Sequence, residues 1–513
     1  MSYNTFTDFI NSTRSYNSTS ILEVGSQQCW QIWPTQHHEP LNWLQDNALR
    51  NYSIRLILLA SIGNPHRRNN VSIQNFNNLV DVYFNWDKHT IAYSHILDQE
   101  AENIVECIKA WEKNNERRVR NWSLKISDIL DLELIRQHMI GLFLQRQVAF
   151  QNSGFGKPVA RINRTIKFIE FFENQFKYNF SEDFIKSTGL TTKIYFRQFI
   201  SCLGLFGSSE RKGFYDFLQF TIIDYENQKL GINQENIKLF IQQNSAPFNL
   251  ESENSFRTRV KRTLNNFSEV YKPFFHNILL ETPFIEFESN KFCLPDPFSF
   301  TESCWNQIES LVLKNLDSRE KGNILSDAFE HYLENILFPS IAPNSFQKIP
   351  EVKNPQKSSD KRADFIIELS NSYLVIECKN SVMYLDTSAY FHPEGIADTW
   401  CKIHSACEQI SATVKVLKSM ENKPVIPLIL TFYDNIVSSE TLTQIIKESD
   451  YCSRMNLTIP PIVNSLHEFE HRISNRSLDN WAELILQKYK NNSIVKPDNQ
   501  GHNYKHLEDV VII

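Results

Sequence analysis

Two apolar runs of strand length, separated by a short polar turn, constrain this chain more than any other stretch. The first is Ala363-Asp364-Phe365-Ile366-Ile367-Glu368-Leu369. The second is Tyr373-Leu374-Val375-Ile376-Glu377-Cys378-Lys379, and Ser370-Asn371-Ser372 joins them. β-branched and aromatic residues favour strands, and Ser and Asn are ordinary turn residues. Asp364, Glu377 and Lys379 stand at the outer ends of the runs. Burying an unpaired charge is costly, so ionisable groups in such strands call for a reason.

A two-residue turn at Ser370-Asn371 predicts that Leu369 pairs with Ser372 and that Asp364 falls opposite Glu377. Directly opposed residues share a face. Side chains alternate along a strand, so Lys379 joins that face as well. A three-residue turn would send Asp364 to the other side. Two acids and a lysine gathered this way can hold a divalent metal beside a phosphodiester, which makes a metal-dependent nuclease the leading expectation.

Asp364, followed after twelve residues by Glu377-Cys378-Lys379, resembles the PD-(D/E)XK nuclease superfamily. The proline of that name is replaced here by Ala363. The likeness covers roughly the last 220 residues, the length such a core needs. It implies an α/β fold, a restriction-endonuclease-like αβββαβ core in the C-terminal part. It also implies that both acids bind Mg2+, a role Mn2+ could fill, while the lysine activates water or stabilises the transition state. Acid-x-Lys recurs at Glu351-Val352-Lys353 and Glu421-Asn422-Lys423, and as Glu210-Arg211-Lys212. None of these ends a long apolar strand preceded by another strand with its own acid, and context is what gives a short motif meaning.

The flanking segments suit such a core. Residues 322–337 read as an amphipathic helix with Phe329, Leu333, Ile336 and Leu337 as its apolar stripe and Glu330 on the border. The resemblance makes Glu330 a further, water-mediated metal contact. A short strand is expected near Phe346–Ile349. Ile396, Trp400, Ile403, Cys407, Ile410, Val414 and Leu417 recur at spacings of four and three, which predicts a helix of about six turns. Gln409 lies off that stripe, on the flank with Lys402 and Thr413, and resembles a glutamine carried there by some branches of the family. It is either a DNA-backbone contact or an ordinary surface residue. Val425–Phe432 reads as the next strand.

His467-Glu468-Phe469-Glu470-His471 matches the zinc protease pattern HExxH. It follows a strand-like run, no convincing third ligand comes after it, and the remaining chain is too short for a protease cleft. It is read as an ordinary helix, capped by Asn464 or Ser465.

At 513 residues the chain exceeds one core, so two or three domains are expected. No apolar run approaches the ~18 residues of a membrane span. Nine scattered cysteines without a CxxC pair suit a reducing compartment, and the cytoplasm is the expected location. Net charge is −6. Residues 301–513 hold 21 Lys and Arg against 28 Asp and Glu, whereas residues 1–300 hold 32 against 31. Bound metal would offset part of the C-terminal acidity. Basic clusters at 117–120 and at Arg257, Arg259, Lys261 and Arg262 could neutralise phosphates.

Residues 1–125 are expected to mix helices with strands such as Ile54–Ile62 and Leu79–Phe84. Residues 126–290 read as a mainly helical region for DNA or partner binding. Within it, Ile162–Phe176 and Phe256–Phe267 are amphipathic and Ser181–Tyr195 has a helix-turn-helix cadence. Prolines near Glu281–Pro297 suggest a boundary, followed by a nuclease-like domain over 291–491 and a polar tail over 492–513. The expected function is a Mg2+-dependent endonuclease acting on DNA. Asp364, Glu377 and the Cys378 carbonyl would hold the metal beside Lys379. Analogy suggests prokaryotic defence against phage or foreign DNA, with a homo-oligomer or a protein trigger as further partners and no membrane. The alternative is a catalytically silent nucleic-acid-binding or scaffold protein that keeps the fold.

Overall fold

The computed structural model describes residues 5–35, 43–92, 95–120, 125–128, 132–136, 156–175, 180–208, 213–216, 233–266, 275–301, 318–350, 362–380, 393–417, 423–432, 451–455, 457–474 and 477–491, together with Trp122, Lys272 and Ser303. The expected polar tail lies outside them. The chain forms two units, one of residues 1–92, 146–316 and 510–513, the other of residues 93–145 and 317–509.

The second unit is built on the strand Tyr373–Lys379. It pairs antiparallel with Phe365–Glu368 and parallel with Val425–Thr431. Both flanking strands are themselves paired, Phe365–Glu368 with the edge strand Phe346–Lys348 and Val425–Thr431 with Ile462–Ser465. The result is a mixed five-stranded sheet. Its centre is apolar on both faces: Leu374, Val375 and Ile376 are buried, as is every residue of Val425–Thr431. Parallel neighbours need a long connection, here the crossover helix Pro393–Leu417. That helix packs on both central strands and on the helix His95–Asn114, so it is covered on more than one side. His404, Ser411 and Thr413 are therefore buried along with the expected apolar stripe from Ile396 to Val414.

The helix expected over 322–337 runs as Ser318–Tyr332, then passes through one π-helical turn, Leu333–Leu337, before Phe338–Ile341. A π-turn adds a residue to the helical repeat and rotates the side chains beyond it about the axis. Phe329, Leu333 and Leu337 are buried as expected, but Ile336 is only half-buried. In chain order the unit reads helix, three antiparallel strands, crossover helix, parallel strand.

The first unit is mostly helical. Two expectations there are corrected: Ile54–Ile62 lies largely in the helix Trp43–Ala60, and Leu79–Phe84 lies in the helix Ile73–Ala92. Residues 50–62 are buried without interruption. Where every face is buried, apolar residues fall on all sides, and the 3.6 period that tells a helix from a buried strand is lost. A Cβ on Gly25 would come within 2.7 Å of Ile57, so glycine lets the neighbouring helix approach. The unit's four-stranded sheet includes Phe284–Glu288 and Lys291–Cys293. It therefore runs through the boundary expected at Glu281–Pro297.

The helix-turn-helix cadence appears as Phe180–Thr188 and Thr192–Ser208. Gly189 ends the first helix at φ 69°, and the Thr191 hydroxyl caps the second. Ser181 lies inside the first helix. Tyr195, Phe196, Phe199, Cys202, Leu203 and Phe206 are buried, so the second helix packs one face into the core.

Candidate active site

The hairpin has the register of a two-residue turn. Phe365 pairs with Ile376 and Glu368 with Tyr373, and Leu369 N–H donates to the Ser372 carbonyl at 2.9 Å. The paired register stops at Phe365–Ile376, one residue short of the expected pairing of Asp364 with Glu377. Past that pair Asp364 N–H turns in to the Ile376 carbonyl at 3.0 Å, a bulge-like step off the register. Beyond that point the Cys378 N–H has no backbone partner on this edge, and the Asp364 side chain takes over. Its Oδ2 accepts from Cys378 N–H at 2.6 Å. Main-chain direction repeats every second residue, so the Cys378 carbonyl lies on the same edge as that N–H.

Glu377 is 1% exposed. Lys379 Nζ donates to its Oε1, while Oε2 is buried without a hydrogen-bond partner. Burial pushes its carboxyl up to about 8. Lys379 pulls the other way, and Asp364 and Glu330 add to the rise. Asp364 is raised too, mainly by burial, against the pull of the Cys378 N–H and Lys379. The Cys378 thiol is pushed well up, by burial first and then by Asp364 and Glu377.

Glu330 comes from the leading helix Ser318–Tyr332. Its carboxyl is raised, first by burial and then by repulsion from Asp364, against the pull of Lys348. Lys348, on the edge strand, sits 3.4 Å from Glu330 and 2.9 Å from Glu334. Burial lowers its amine, but the two glutamates outweigh this and leave it raised. Sequence reasoning missed Lys348. Its partners lie 14 and 18 positions away, on an element whose π-turn the pattern did not show.

Gln409 is brought to the centre. Its Oε1 accepts from Lys379 Nζ at 3.0 Å, and its Nε2 donates to the Arg362 carbonyl at 3.3 Å. The flank it shares with Thr413 faces the start of the hairpin, so of the two expectations the surface residue is corrected.

Among the described residues, no three His, Cys, Asp or Glu side chains are grouped as a metal would require. Each hairpin acid is turned to another partner, Asp364 to Cys378 N–H and Glu377 to Lys379. At the HExxH pattern, Glu468 pairs with Arg472 at 2.6 Å on an eight-residue helix capped by Ser465.

The basic cluster on Phe256–Asn266 is largely engaged within its own unit. Arg257 and Lys261 face Glu251 at 3.4 and 3.5 Å, and Arg259 pairs with Glu281. Arg262 alone of the four is exposed. At 117–120, Val119 is buried and Arg120 exposed.

Compared with family models, with curated proteins and with solved structures, the chain matches none.

Proposed function

We propose that the second unit is the catalytic part of a metal-dependent nuclease that hydrolyses DNA phosphodiester bonds on a restriction-endonuclease-like core. The observation that carries this reading is the meeting of Asp364, Glu377 and Lys379 at the open end of one hairpin, with a Glu377 oxygen buried and unpartnered. The order helix, three antiparallel strands, helix, parallel strand supports it.

The residues fit a divalent cation. Glu330, Asp364 and Glu377 are all raised, and a cation among them would offset both burial and repulsion. Asp364, Glu377 and the Cys378 carbonyl would hold it, with Glu330 as a further acid. These are the oxygen donors that Mg2+ prefers. When bound, Mg2+ makes water more acidic and offsets charge on phosphate. Lys379, held between Glu377 and Gln409, orients that water or donates to a phosphate oxygen as charge develops. Glu377 must shed its proton for this work, so burial sets a pH threshold on the centre.

The test is cleavage of supercoiled plasmid by the full chain with Mg2+ or with chelator. Nicking or linearisation with Mg2+ alone is expected, abolished in Asp364→Ala and in Glu377→Ala. A second reading, a silent nucleic-acid-binding protein, draws on the partners the hairpin acids already have, Cys378 N–H for Asp364 and Lys379 for Glu377. Binding of DNA without cleavage under any divalent metal would establish that reading instead.

A further inference from the structure

Thr413 stands one helical turn beyond Gln409 on the crossover helix and is 3% exposed. Its hydroxyl donates to the Gln409 carbonyl at 3.0 Å. A threonine inside a helix often makes that bond for itself, and it carries no functional meaning. The other contact is different: the same oxygen accepts from the Ala363 N–H at 2.9 Å. One turn earlier, the Gln409 amide donates to the Arg362 carbonyl.

The Arg362 carbonyl and the Ala363 N–H are the two polar ends of one peptide group. A peptide group is a rigid plane, and two side chains on successive helical turns grip this one from both ends. The next residue is Asp364. Between the gripped plane and the Asp364 side chain lie only the backbone torsions of Ala363 and those of Asp364 itself. Gln409 meanwhile holds Lys379 Nζ with its other amide atom. One stretch of helix thus sets both the entry of the chain into the first acid and the place of the lysine. A valine at 413 would fill the same space, so volume alone does not account for the hydroxyl.

We propose that Thr413 is a positioning residue of the acid–lysine centre, which through the Ala363 amide fixes where Asp364 sits and, with Gln409, holds Asp364 and Lys379 in one frame. It rests on the nuclease reading for what the centre does, while the clamp rests on the contacts themselves.

The experiment compares wild-type full chain with Thr413→Val and Thr413→Ser. Three quantities are read: the single-turnover cleavage rate at saturating DNA, Mn2+ affinity by calorimetry, and hydrogen exchange of peptides containing Ala363. In Thr413→Val the rate should fall about 10- to 100-fold, the scale expected of small misplacements of reacting groups. The DNA concentration for half-maximal rate should stay within about twofold, since binding contacts are untouched. Exchange at Ala363 should quicken and Mn2+ affinity should weaken. Thr413→Ser, which keeps the hydroxyl, should recover most of the rate. If Thr413→Val does not fold, Thr413→Cys takes its place, because a thiol fills the space but accepts hydrogen bonds weakly. Its rate should drop in the same direction. A valine or cysteine variant that cuts at the wild-type rate overturns the proposal alone. Equal loss in Val and Ser also overturns it, because packing rather than the hydroxyl would then be responsible. A wild-type chain that neither cuts DNA nor binds Mn2+ overturns the nuclease reading, and the proposal with it.

Discussion

Glu377 carries its carboxyl into a place that penalises charge. Its folded value, about 8, lies above the ordinary 4.5. Between those two values the folded chain keeps a proton that the unfolded chain has released. Where the folded state binds more protons, stability falls as pH rises. With chelator present, the melting temperature should therefore decline from about pH 5 to pH 8, and Glu377→Gln should flatten the decline. Mg2+ should raise the melting temperature more at pH 8 than at pH 6, since carboxylates must ionise to bind it. A melting temperature that climbs over this range and ignores Glu377→Gln would refute the burial argument. Lys379 belongs to the same balance. Lys379→Ala removes the cation that the structure sets directly on Glu377, so the Glu377 carboxyl should rise further. Turnover should fall by about 10²-fold or more, the scale of a lost acid–base group, while the protein stays folded by circular dichroism. Retained turnover would remove Lys379 from the chemistry.

At the level of elements, the hairpin is the part that decides the site, and its register depends on a count of turn residues. A single glycine inserted between Ser370 and Asn371 would slip one strand by one position. A one-residue slip sends every side chain of that strand to the opposite face. The sheet resists this because Phe365 and Ile367 are buried. The insertion should bulge the turn, leave cleavage within about threefold of wild type and cost about 1 kcal/mol or less, in line with the slow growth of loop entropy with length. Deleting Asn371 leaves too short a turn and should abolish cleavage with loss of folding, read by circular dichroism and plasmid assay together. The hairpin was legible from sequence because strand alternation and turn counting act over fewer than twenty residues. The edge strand, the crossover helix and the strand Val425–Thr431 were legible for the same local reason. Other features depend on distant partners. Residues 54–62 looked like strand because a fully buried helix loses its period. Ile336 left its stripe because of a π-turn. Gln409 and Thr413 seemed to lie on a surface flank because nothing local shows that the start of the hairpin covers it. The place of Lys348 against Glu330 is equally non-local.

Across the whole molecule, one buried ion pair joins residues far apart in sequence within the first unit. Arg50 lies on the helix Trp43–Ala60 and Asp296 just before a helix that begins at Pro297. Arg50 Nε and Nη2 each donate to an Asp296 oxygen at 3.0 Å, and both side chains are almost wholly buried. The guanidinium lies 4.4 Å from the centre of the Phe298 ring, and Asp296 also accepts from Ser299 N–H at 2.8 Å. Asp followed by Pro is a natural helix start, a cap and then a residue with no N–H to satisfy. The same aspartate thus caps a local helix and neutralises an arginine 246 positions away. Two charges taken out of water gain little net stability by pairing, but losing one of them leaves the other stranded. Asp296→Ala should destabilise the protein by about 3–5 kcal/mol, the scale for a broken buried pair. Urea unfolding would show the loss, and faster hydrogen exchange should concentrate in residues 50–60 and 294–301. Replacing both partners, as Arg50→Met with Asp296→Leu, should recover much of that loss, because no charge is left unpaired. The cap would still be missing, so recovery should fall short by about 1 kcal/mol. Neither change touches Asp364, Glu377 or Lys379, so cleavage per folded molecule should persist. An Asp296→Ala protein that unfolds at the wild-type urea concentration would mean that Arg50 finds another partner or water, and that this pair does not hold the first unit together.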